Sequence, residues 1–158
     1  MAYLNVSSPS NFVTLLITAD PATNIRTATA TTTNVISVPA LQDITVTNNN
    51  GTFRWVQLDN TARRVVATPA TNSLNFNIVV DDNSFFTATS GGSNSSTGLL
   101  GLSNNKDKIY FQFNWGGGAS HVTTGSGYLA NLAPKVTPDQ PVWMSPLVIE
   151  VDGNYINS

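Results

Sequence analysis

A chain of 158 residues with no cysteine, a net charge of −2 and only 10% charged residues excludes several classes at once. It has no disulfide, no thiolate metal site and no cysteine nucleophile, and no basic tract longer than Arg63-Arg64 with which to neutralise a phosphate backbone. Its 41% apolar residues suffice for one core, and residues 1–158 are expected to form a single domain.

The apolar stretch Phe12–Ile17 has no Lys or Arg before it and is broken by Thr14, so it does not make a signal h-region. No segment approaches the ~20 apolar residues of a membrane span, and a soluble protein made in the cytoplasm is expected. A first strand is predicted over Phe12–Thr18, ending at Asp20-Pro21, where proline's fixed φ favours a turn. Thr27–Val38 is rich in Thr and Ala. Branched Cβ atoms suit extended backbone, but few large side chains are present to bury. The span 27–50 therefore reads as a long excursion, a candidate for contacts outside the subunit.

Leu41–Thr47 alternates and runs into Asn48-Asn49-Asn50-Gly51, where Asn-Gly predicts a hairpin turn because both residues tolerate positive φ. The returning strand, Thr52–Leu58, places Phe53 and Trp55 on one face, expected to be core, and Arg54 and Val56 on the other. Asp59-Asn60 turns the chain into Ala62–Ala67. Asn72–Val80 is the clearest alternation, with Leu74, Phe76, Ile78 and Val80 on one side, which is the pattern of one buried and one polar face.

The Gly/Ser-rich span 87–97 reads as a flexible loop. Thr97–Ser103 predicts a short helix capped by Thr97, with Leu99, Leu100 and Leu102 against the sheet, and Asn104-Asn105-Lys106-Asp107 reads as its exit turn. Lys108–Asn114 is again a strand with Ile109, Phe111 and Phe113 inward. Trp115-Gly116-Gly117-Gly118 reads as a bulge or wide turn, and Ser120–Thr124 and Gly127–Leu132 as another strand pair. Val142–Val151 closes the chain, interrupted at Pro146 and stopping at Asp152-Gly153. Many short strands, at most one helix and no internal repeat predict an all-β single-domain sandwich or barrel.

Catalysis finds no foothold in this pattern. His121, the only histidine, has no partner at metal-ligand spacing, and no G-x-S-x-G elbow occurs. Asp81 and Asp82 are neighbours, so on a strand their carboxylates would point to opposite faces. A calcium role with Asn83 and Ser84 lacks the spacing of a calcium loop, and a solvated loop start is the favoured reading. The glycine-rich runs lack the Gly-Lys-Ser/Thr of a phosphate cradle. No cofactor and no metal are expected. Trp115, beside three glycines, is the indole expected to be exposed, as a sugar-binding module would require.

Thr, Ser and Asn supply roughly a third of the chain. Hydroxyls and amides cost far less to bury than ions do, so this surface suits an assembly subunit. Four segments give that reading a family. FRWVQLD (Phe53–Asp59), LNFNIVVDDNSFF (Leu74–Phe86), GLLGLSNNKDKIYFQF (Gly98–Phe113) and above all GSGYLANLAPKVTPDQPVWMSPLVIEVDG (Gly125–Gly153) resemble stretches of the tail tube proteins of long-tailed bacteriophages. The resemblance covers about two-thirds of the chain, from Thr52 on.

It implies a small β-sandwich or barrel with one helix, in which six subunits join sheets edge to edge into a ring. Rings would stack into a tube that conducts DNA into the host. Implied partners are copies of the chain, other tail proteins and DNA in transient, non-specific passage, with no membrane; the implied location is the virion tail, assembled in the bacterial host cytoplasm. The family's lumen is commonly acidic, whereas this chain has nine acidic residues in all. Within such an assembly at least one of Arg63 and Arg64, a basic pair in an ion-poor chain, is expected to form an intersubunit ion pair, with Asp81 or Asp82 as the partner. The alternatives are a carbohydrate-binding β-sandwich and a capsid decoration protein.

Overall fold

The computed structural model describes residues 12–38, 41–58, 60–91, 97–117 and 121–157 of the chain. They form an all-β structure with one short α-helix, built on a single nine-stranded antiparallel sheet that does not close into a barrel. The strands are β1 (Thr14–Thr18), β2 (Ile36–Val38), β3 (Leu41–Gln57), β4 (Asn60–Val79), β5 (Ile109–Asn114), β6 (Val122–Leu132), β7 (Lys135–Thr137), β8 (Gln140–Val151) and β9 (Ile156–Asn157). Their order in the sheet is β2-β1-β5-β6-β8-β4-β3, with β7 added to β8 and β9 to β6.

The sheet curls. β4 and β5 are three strands apart, about 14 Å if the sheet were flat, yet Phe76 and Phe113 meet edge to face at 5.9 Å. The concave face holds the core, where Leu15, Ile17, Leu74, Ile78, Ile109, Phe111, Leu147 and Ile149 are essentially fully buried. Alternation assigns these residues to it: inward positions in β4, β5 and β8 are apolar at every second residue.

A five-residue π-helical turn (Asn83–Thr87) and helix α1 (Gly98–Asn105) lie against this core through Phe85, Leu99 and Leu102. Thr97 sits at the N-cap as expected, but its hydroxyl donates to the Phe86 carbonyl at 2.5 Å instead of capping the helix. Gly98 has φ of 71°, and a Cβ there would strike the Phe85 carbonyl. Lys106, left-handed at φ 57°, ends the helix, its N–H reaching the carbonyls of Leu102 and Ser103. Leu100, expected against the sheet, is exposed.

The span 27–50 is not an excursion. Residues 20–34 are a series of turns laid on the convex face, where Ile25 and Ala28 pack on Leu16. Gln112 of β5, itself buried, holds them with Nε2 donating to the carbonyls of Ile25 (2.7 Å), Arg26 and Ala28 (both 3.2 Å). Then β2 and the first part of β3 follow. Residues 92–96 of the expected flexible loop 87–97 lie outside the described residues, but Ser90 is buried and its carbonyl accepts the Ala19 N–H at 2.9 Å.

Three further expectations are corrected. The segments read as separate strands on either side of Gly125 are one strand, β6, whose glycines serve close packing. A Cβ on Gly127 would collide with the Glu150 carbonyl oxygen, and one on Gly125 with the Phe111 ring. β8 runs uninterrupted through Pro146. There β6 has stopped at Leu132↔Leu147 and β7 begins at Lys135↔Met144, so one flank asks no N–H of the proline. Trp115 is not exposed: it packs edge to face on Phe113 at 5.0 Å and donates from Nε1 to Thr123 Oγ1 at 2.7 Å. An indole so held offers no free stacking platform for a sugar.

Candidate assembly surface

No turn forms at Asn50-Gly51. β3 continues to Gln57, which pairs with Asn60, so the chain reverses only beyond Gln57. The Asn-Gly signal marks a β-bulge. The register passes from Asn50↔Ala70 to Thr52↔Ala67, leaving Thr68-Pro69 as an extra residue's worth of β4 opposite Gly51. Both features fit: glycine lets Thr68 approach, and a bulge tolerates proline's missing N–H.

β8 pairs with β4 only from Asn72↔Val151 onward. From Thr52↔Ala67 to Gln57↔Asn60, β3 and β4 pair only with each other among the described residues, making a two-stranded arm beyond the core. Register fixes its faces. Phe53, Val66, Trp55 and Arg64 share one face; Arg54, Val65, Val56 and Arg63 share the other. Phe53 and Trp55 stack at 5.8 Å and are 58% and 39% exposed, so the aromatic pair expected in the core is on the surface. Leu58 at the tip is fully exposed.

Arg63 and Arg64 thus stand on opposite faces of the arm. Asp81 and Asp82 follow the other end of β4, where the Asp81 carboxylate accepts the N–H and hydroxyl of Ser84. Seventeen positions, 64 to 81, separate the two pairs along the chain. At about 3.3 Å per strand residue that is tens of ångströms, so the fold does not bring these four residues together within one subunit.

An open groove of about 470 Å³ is lined by Phe86, on the turn that follows Asp82, and by Thr97, Leu100, Gly101 and Asn104. The sequence reading missed this groove and the exposure of the aromatic pair. A signal for the arm was present: Arg54 and Val65, like Trp55 and Arg64, pair across the strands, so each face carries a cation and neither is of core quality. The groove had no such signal, since Phe86 and Leu100 meet only through tertiary folding.

β3 is also an edge strand of 17 residues, with no Lys and no Pro to discourage an added strand. Its end of the sheet, and the three-residue β2 at the other, are open among the described residues. They contain no group of three His, Cys, Asp or Glu residues placed to hold a metal ion. His121 is exposed, its carbonyl accepting the Trp115 N–H at 3.2 Å.

No protein-family model matches the chain, and no curated protein sequence matches it. Solved structures do. A chain in the tail of an empty gene transfer agent particle, refined helically with C6 symmetry, aligns at TM-score 0.57 and 11% identity, covering 78% of this chain and 86% of that one. The SPP1 tail tube, determined by solid-state NMR and cryo-EM, aligns at 0.60 and 10% identity over 96% of this chain and 78% of that one. The sheath/tube terminator of the PVC extracellular contractile injection system, in its extended state, aligns at 0.57 and 8% identity over 99% of both chains. The fold of this chain is the tail tube fold.

Proposed function

We propose that this protein is a non-enzymatic structural subunit of a phage tail tube, one unit over 1–158 that forms six-membered rings stacked into a conduit for DNA. The observation that carries the reading is the arm. It exposes apolar side chains on both faces, which its own subunit leaves uncovered, and such a surface is made to be buried by another protein. The open edge of β3 supplies the second contact, because joining sheets edge to edge into a closed ring removes every free edge. The C6 symmetry of the gene transfer agent tail supports six copies. A lumen without basic clusters would let DNA slide through without sticking, and the protein would belong to the virion tail, built in the bacterial host cytoplasm with other tail proteins.

The terminator likeness, complete over both chains, favours a second reading, a ring that caps a tube. Electron microscopy of the concentrated protein tests both. Long tubes support the repeating subunit, isolated rings the cap, and a strictly monomeric protein overturns each.

A further inference from the structure

We infer that the arm of one subunit docks head to tail on a second copy, seating Leu58 in the Phe86–Leu100 groove and setting one arginine of the Arg63-Arg64 pair against Asp81 and Asp82. The inference rests on the stacked-tube reading and gives it a specific joint. Three observations lead to it. The knob and the hole match in chemistry: Leu58 is an apolar side chain fully in solvent at a hairpin tip, and the groove's largest walls, Phe86 and Leu100, are apolar and exposed.

The charges match as well. Three of the chain's seven cations, Arg54, Arg63 and Arg64, lie on the arm, and none makes an ion pair among the described residues. Asp81 and Asp82 immediately precede the π-helical turn whose Phe86 lines the groove. The next charges after them in the chain, Lys106 and Asp107, follow α1 as neighbours of opposite sign and leave the acidic sign of that end in place. Arginine suits this role because its planar fork pairs with carboxylates at modest desolvation cost.

The geometry selects the occupant. Knob and hole lie at opposite ends of β4, so one subunit cannot satisfy itself, and the contact joins two different patches. Such a heterologous joint closes into a ring or repeats along an axis according to the rotation between copies, and stacking is the second case.

The absence of cysteine from the sequence makes the test clean. In the Leu58→Cys/Leu100→Cys double variant, assembled and treated with a short bis-maleimide, a ladder of covalent dimers, trimers and higher species is expected. Each single-cysteine variant should stay monomeric on the denaturing gel. Charge reversal gives a second measurement. Arg63→Asp/Arg64→Asp and Asp81→Arg/Asp82→Arg should each reduce tube mass at least tenfold, and mixing the two variants should restore it, because each arm then finds an opposite charge. Circular dichroism melts confirm that the variants fold. Tubes that form without the ladder, dimers from Leu58→Cys alone, or mixed variants that fail to recover overturn the docking and leave the tube reading standing. A parent chain that forms no tube overturns both.

Discussion

The Tyr155 hydroxyl lies 2.8 Å from the Thr47 carbonyl oxygen and shares its one proton with the Ser73 carbonyl at 2.9 Å. Its ring meets Phe111 edge to face at 6.4 Å. One side chain near the C-terminal end thus spans the concave side of the sheet, from β5 to the root of the arm on β3 and β4.

Tyr155→Phe should lower stability by about 1–2 kcal/mol, since two carbonyls lose their donor, read as a reduced urea midpoint. Burial holds the phenol above its ordinary value of 10.0, and the Glu150 carboxylate acts in the same direction. The neutral form is therefore favoured in the folded state. Its contribution is complete below pH 10 and is lost as pH rises through the folded value. The phenylalanine variant should lack that alkaline component.

Asp20 has the opposite sign. Its carboxylate accepts from the Ala22 N–H at 2.9 Å, Asn34 Nδ2 at 3.2 Å and Thr23 Oγ1 at 3.1 Å. These bonds, the Ala22 N–H foremost, hold it below its ordinary 3.8. The stabilisation is present above pH 3.8 and lost as pH falls through the folded value. Hydrogen exchange in 20–34 should accelerate in that acid window, and Asp20→Asn should abolish the pH step.

Gln112→Leu keeps the volume and removes the donor to three carbonyls. A loss of about 1–3 kcal/mol is expected from the unsatisfied oxygens. Amide protection should fall in 24–30 while the strands of the core keep theirs, which proton-exchange mass spectrometry can resolve.

Gly127→Ala should cost about 3 kcal/mol, because the new methyl meets the backbone of Glu150 and neither strand can give way without breaking the β6–β8 ladder. Thermal melting measures it. The same substitution at Gly153, where nothing lies within 4 Å, meets only the strain of φ +85° and should cost about 1 kcal/mol.

The exposed pair behaves differently again. Phe53→Ala/Trp55→Ala removes one stacking contact worth about 1 kcal/mol and no core, so the monomer should melt within a few degrees of the parent. Tube formation should be lost. A variant that unfolds instead would place the pair in the fold and not at a joint.

Much of this fold was legible because alternation is a local signal. The Leu74-Phe76-Ile78 and Ile109-Phe111-Phe113 rows read directly as buried faces, and TGLLGLS as a helix start. Failures arose where one local pattern has two physical outcomes. Asn50-Gly51 fits a hairpin turn, but glycine at a bulge answers the same need, and only pairing with Thr68-Pro69 decides. Trp55 and Trp115 were exchanged for a related reason: burial of a ring depends on which strands flank it, and β3 and β4 together outrun β8 while β5 lies between β1 and β6. The arginine pair was visible as an oddity in an ion-poor chain, whereas its separation from Asp81 and Asp82 required the length of β4.

The bulge at Gly51 also constrains how the arm can change. Side chains alternate with period two, so one extra residue in a strand inverts everything beyond it, and Thr68-Pro69 sets which of Arg63 and Arg64 shares a face with the aromatic pair. A single insertion or deletion between the bulge and the tip would move Arg64 across to the other side. Natural relatives of this protein should therefore lengthen or shorten their arms in even steps on each strand, keeping phase as they change reach.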